Sequence, residues 1–175
     1  LVILPLSRQA IDKGRGCCFI DFKGDEVFKK YVQQRAKEKG KKFYYFSIDP
    51  NEASMGYNPL FSGDIHSKVD RIMSALELIY HGPAGFYSNV QAMTFVELLK
   101  EMTQEKKEIN FLSVKNALEN PNFLERIGVS KQEVKGLLAA ISWIAGLDAI
   151  NRDQLDLAKV IKNGDIVFFA LKSQV

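Results

Sequence analysis

The feature that most constrains this chain is a change of hydrophobic period. Short apolar runs of strand length stand near its two ends, at Cys17–Ile20, Phe43–Ile48 and Ile166–Leu171. Between the second and third, apolar residues recur at helical spacing from Ile65 to Lys162 with no strand signal. Runs that are apolar at every position read as strands buried on both faces of a parallel sheet. The amphipathic stretch Asp25–Lys39 between the first two supplies the crossover helix that a parallel pair requires. The expectation is therefore an α/β fold with strands near 17–21, 43–48 and 165–171, interrupted by an all-helical subdomain. The boundaries read as 1–61 for the first part of the sheet domain, 62–163 for the helical insertion, and 164–175 for the return to the sheet.

Punctuation along the chain sharpens this reading. Leu1, Ile3, Leu4, Leu6 and Ile11 look like the later turns of a helix ending at Gly14, so the 175 residues read as an internal piece of something longer. Asp25 is placed to cap the helix that carries Val27, Phe28, Tyr31, Val32 and Ala36 on one face, and Asp64 to cap another through Ile79 and Tyr80. Ser88 with Gln91 and Ser130 with Glu133 have the spacing of capping boxes. Ser113 reads as the start of a short helix, and Arg152–Lys162 as a last one before Asn163-Gly164. Trp143, in an apolar helix, is expected in the core.

Composition excludes some classes. With 46% hydrophobic and 26% charged residues the chain is globular rather than disordered. A net charge of +3 is too small to argue for a polyanion partner, and the basic run Lys37–Lys42 reads equally as a solvated turn or a phosphate contact. Two adjacent cysteines inside a strand suit a reducing compartment better than a disulfide framework. No apolar run approaches the roughly 18 residues of a membrane span. His66 and His81 have no ligand spacing with each other or with a cysteine, so no metal site is expected.

The strongest site candidate is Asp21-Phe22-Lys23-Gly24-Asp25. It lies where the first strand ends, and open α/β sheets place their ligands at the carboxyl ends of strands. Two readings stand side by side: Asp21, Lys23, Gly24 and Asp25 form a ligand site of unspecified chemistry, or Asp25 caps the helix and Lys23 is solvated. Tyr57, Asn58 and Pro59 read as a rigid hinge into the helical block. Tyr80, Phe86 and Tyr87 flank the Gly82-Pro83-Ala84-Gly85 turn and are candidates either for partner contact or for packing between helices.

Taken in order, these segments resemble the TraG/TraD-type coupling proteins of bacterial conjugation and type IV secretion. That family has an Asp-Pro-Lys-Gly-Asp/Glu turn, matched by Asp21–Asp25 with Phe22 in place of proline, and an aromatic-Asn-Pro-Leu element, matched by Tyr57–Leu60. It then has an all-alpha domain and a Gly-x-Ile-Val-aromatic-aromatic-x-Leu strand, similar to Gly164–Leu171. The resemblance implies part of a RecA-like P-loop ATPase sheet, lying between the phosphate loop and the Asp-Glu strand, with Asp21, Lys23, Gly24 and Asp25 near the nucleotide. It implies ATP and Mg2+ as cofactors of the parent protein, and none for the 175 residues alone, because Gly-x-x-x-x-Gly-Lys-[Ser/Thr] does not occur in them. It further implies a homo-hexamer at the cytoplasmic face of the inner membrane, with DNA, relaxosome or secreted-substrate proteins and secretion-channel components as partners. Two other classes remain: a non-enzymatic helical adaptor, and an FtsK/HerA-like DNA pump.

Overall fold

The structure, a computed structural model, describes residues 3–172; Leu1, Val2 and 173–175 lie outside the described residues. It is mixed α/β and divides into two compact units, residues 1–58 with 152–175 and residues 59–151. The sequence reading places these junctions at 61/62 and 163/164. The second differs most, because the segment after Arg152 packs with the sheet.

In the first unit, α1 (Ile3–Asp12) leads into β1 (Cys17–Asp21), α2 (Glu26–Glu38) and β2 (Phe43–Ser47), and α8 (Leu157–Lys162) leads into β3 (Ile166–Ala170). The three strands form one parallel sheet in the order β1-β3-β2. Cys17 through Asp21 pair with Ile166 through Ala170, and Phe43 through Ser47 pair with the same five residues from the other side. Strand β3 is thus central and every one of its residues is buried. On one face, Ile11 of α1 and Phe28, Val32 and Ala36 of α2 close over Ile166, Phe168 and Ala170. The Phe168 ring packs against Phe19, Phe28, Phe43 and Tyr45 with centroids 5.7 to 6.4 Å apart. On the other face Phe46 and Phe169 meet Tyr57.

Strand β1 departs from the expectation of burial on both faces. Among the described residues it is an edge strand with alternating burial, in which Cys17 and Phe19 face the helices while Cys18 and Ile20 are exposed. Successive strand residues point to opposite faces, so the two cysteines are separated by the sheet. Partial burial pushes both thiols above their ordinary pKa.

The helical unit holds α3 (Ile65–Ala75), α4 (Gly85–Gln104), α5 (Phe111–Leu118), α6 (Pro121–Arg126) and α7 (Lys135–Ala145), with short 3-10 turns at Gly82–Ala84 and Asp148–Asn151. It has its own core, centred on Phe95, Leu98 and Leu99 of α4, Val114 and Leu118 of α5, and Leu137 and Ile141 of α7. Several boundaries differ from the sequence reading. Helix α3 stops at Ala75 rather than near Tyr80, because the chain turns into the left-handed region at Glu77 (φ 53°). Ser88 and Gln91 lie buried inside α4, where Ser88 Oγ accepts a hydrogen bond from Tyr80 N–H at 2.6 Å instead of capping a helix. The cap of α5 is Asn110, with Ser113 completing a reciprocal capping box three residues on. Ser130 and Glu133 do bond reciprocally, within the turn before α7. Helix α8 begins only at Leu157, capped by Asp156. Trp143 is not core: it is 77% exposed on the outer side of α7, whose buried stripe is Leu137, Ile141, Ile144 and Ala145.

Candidate functional site

The carboxyl end of the sheet is built from three local decisions. Strand β1 ends at Asp21, whose backbone carbonyl still accepts from Leu171 N–H at 2.8 Å. Its carboxylate then folds back on its own loop: one oxygen accepts from Lys23 N–H at 2.8 Å and the other from Asp25 N–H at 2.6 Å. Gly24 makes the turn with φ +72°, and a Cβ there would sit 2.7 Å from the Lys172 side chain. Asp25 caps α2 by accepting from Phe28 N–H at 2.9 Å. Asp21, Gly24 and Asp25 therefore do share one turn, and the hydrogen bonds of the two carboxylates serve its geometry.

Beside that turn is a cavity of about 200 Å³, lined by Asp21, Gly24 and Asp25 and also by Glu26, Lys29 and Lys172. From β2 and the loop after it, Tyr45 and Glu52 close the far wall. Lys23, the cation named from the sequence, is exposed and is not among the lining residues. Lys29 takes its place. Its ammonium lies 2.5 Å from Glu26 and 4.5 Å from the centre of the Tyr45 ring, and the Tyr45 hydroxyl is hydrogen-bonded to Glu52.

This chain of contacts shifts all three groups. Burial pushes the Tyr45 hydroxyl above its ordinary pKa, and the Glu52 carboxylate adds to it. Glu52 is held below the usual range by that same hydrogen bond, which outweighs its burial. Burial works to lower the Lys29 pKa, but the bond to Glu26 and the proximity of Tyr45 prevail and raise it. Lys29, Tyr45 and Glu52 escaped the sequence reading because they lie on three elements. The only local signal was Lys29 one turn beyond the cap of α2.

Chemically, the cavity has more carboxylates than ammonium groups, and its two hydroxyls, those of Ser47 and Tyr45, stand beside the Glu52 carboxylate. Among the described residues no group of three or more His, Cys, Asp or Glu is disposed to hold a metal ion. Each Asp21 carboxylate oxygen already accepts one backbone amide of the turn.

The other named residues fall elsewhere. Tyr57 packs edge-on against Phe46 and Phe169 with interplanar angles of 89° and 76°, and Asn58 is buried. The unit junction falls between Asn58 and Pro59. The Pro59 carbonyl accepts from the Arg71 guanidinium at 2.5 Å. Phe86 and Tyr87 are 59% and 46% exposed and stack edge to face at 5.6 Å, while Tyr80 is anchored through its backbone to Ser88. No helix among the described residues is long and apolar enough to cross a membrane. A scan against protein-family models found no match, and searches of curated proteins and of solved structures found none either.

Proposed function

We propose that the chain is part of a conjugative or type IV secretion coupling ATPase, the central portion of a RecA-like core with its all-alpha domain. In this reading the parent protein uses ATP and Mg2+ to drive DNA, or DNA-linked protein, into a secretion channel at the bacterial inner membrane. It acts as a hexamer, and the helical unit recruits relaxosome or secreted-substrate proteins. The observation that carries the reading is one of order: a helical unit inserted between the second and third strands of a single parallel sheet, with Asp21-Phe22-Lys23-Gly24-Asp25 at the carboxyl end of the first. The nucleotide's phosphates are assigned to a loop outside these 175 residues, and Asp21 to holding the turn that faces it. Phe86 and Tyr87, exposed beside a Gly-Pro turn, are the residues offered for partner contact.

The parent reading frame tests this directly. The expected result is a Gly-x-x-x-x-Gly-Lys-[Ser/Thr] shortly upstream of Leu1 and an apolar strand ending in Asp-Glu downstream of Val175. An initiator methionine and a stop codon at those two places would overturn the ATPase reading. They would favour instead a helical adaptor, which the separate core of residues 59–151 would suit.

A further inference from the structure

The opposite, amino-terminal edge of the sheet gathers charge that the chain total conceals. Three turns feed the three strands there, and they are laced together. Cys17 N–H donates to the Asp165 carbonyl at 3.1 Å, Ile166 N–H to the Lys42 carbonyl at 2.9 Å, and Lys42 N–H to the Asp165 carboxylate at 3.0 Å. The Gly14, Gly40 and Gly164 turns all have positive φ. The turns bring Lys13, Arg15, Lys39, Lys41, Lys42 and Lys162 to one edge, in a chain whose net charge is only +3.

Among the described residues, little nearby neutralises them. Asp165, the one acid within the turns, is buried and bonded to backbone. Glu38, just before them, is paired with Arg35 at 2.7 Å. Asp12 lies 2.6 Å from Arg35 and only 3.7 Å from Lys39. Among the described residues Lys13, Arg15, Lys41, Lys42 and Lys162 make no ion pair.

We propose that this edge is a docking surface for an anionic phospholipid bilayer. Helices α1, α2 and α8 all end here, so they present carbonyl oxygens and the negative ends of their dipoles. Among the described residues this edge has no helix amino-termini to seat individual phosphates, as a nucleic-acid backbone in fixed register would use. The turns carry no aromatic ring on which a base could stack. What remains is a set of cations on three adjacent turns, with Lys13, Arg15, Lys42 and Lys162 exposed, which suits the diffuse charge of a lipid surface. Ile161, 43% exposed beside Lys162, adds an apolar contact. This surface is independent of nucleotide chemistry, so it stands or falls apart from the ATPase reading.

The test is sedimentation of the 175-residue chain with vesicles of phosphatidylcholine, with and without phosphatidylglycerol, at low and high salt. A variant neutralised at the exposed Lys13, Arg15, Lys42 and Lys162 to Gln is compared with one neutralised at Lys30, Lys68, Lys131 and Lys135, which has the same net charge. The expected result is binding that requires phosphatidylglycerol and fades with salt. It should weaken about fivefold per edge cation removed, on the basis of about 1 kcal/mol each, and the control should lose far less. Restoring the three lysines as Arg, with Arg15 kept, should restore binding and exclude misfolding as the cause. Equal losses in both variants would overturn the proposal. So would binding of a random DNA duplex through these four residues without binding of vesicles.

Discussion

Both carboxylate oxygens of Asp21 accept amides of the loop that follows it, which makes this residue a determinant of backbone shape first. Removing it leaves the Lys23 and Asp25 N–H groups without their acceptor and frees the Gly24 turn. Asp21→Ala is therefore expected to lower stability by about 1–2 kcal/mol, the scale of losing a capping carboxylate at a half-exposed site. Urea denaturation checks this, and an unchanged midpoint would show that the loop holds itself. Asp25 was legible as a cap because capping depends on residues three apart. The Asp21 turn was legible in place but not in detail. The same Asp-x-Lys-Gly-Asp string fits a nucleotide edge and a self-bonded turn, and only the folded chain shows where the oxygens go.

At the scale of elements, the three apolar runs look alike in sequence and differ in the structure. Strand β3 is flanked on both sides and buried throughout, whereas among the described residues β1 has one partner and one covered face. Phe168→Ala should cost about 3–5 kcal/mol as a large core truncation, while Ile20→Ala, at an exposed position, should stay within about 0.5 kcal/mol. Paired thermal melts read the contrast, and similar losses for both would mean that β1 is covered in solution. Strand position was hidden because sheet order is set by pairing between distant segments, which periodicity does not encode. Trp143 was misjudged for a related reason. The residues of α7 are so apolar that the stripe facing the core cannot be told from its back by composition.

At the scale of the molecule, the insertion of one helical unit into a small parallel sheet was legible, because a long block of helical period between strand runs leaves few alternatives. Its exact ends were not, since the segment after Arg152 has the polarity of a linker and its packing is tertiary. With its own buried core, the segment 59–151 should fold when expressed alone, giving a helical circular dichroism spectrum and a cooperative melt. Its single tryptophan should emit as if in water and be readily quenched by iodide, given the exposure of Trp143. A molten, non-cooperative transition would show that it depends on the sheet unit. The strand order has a consequence for synthesis. Among the described residues, strands β1 and β2 do not pair with each other, only with β3. On the ribosome neither meets β3, the partner described for each, until the whole of 59–151 has been translated. The helical unit can therefore fold before either pairing with β3 is possible, and those two ladders close only after β3 has emerged.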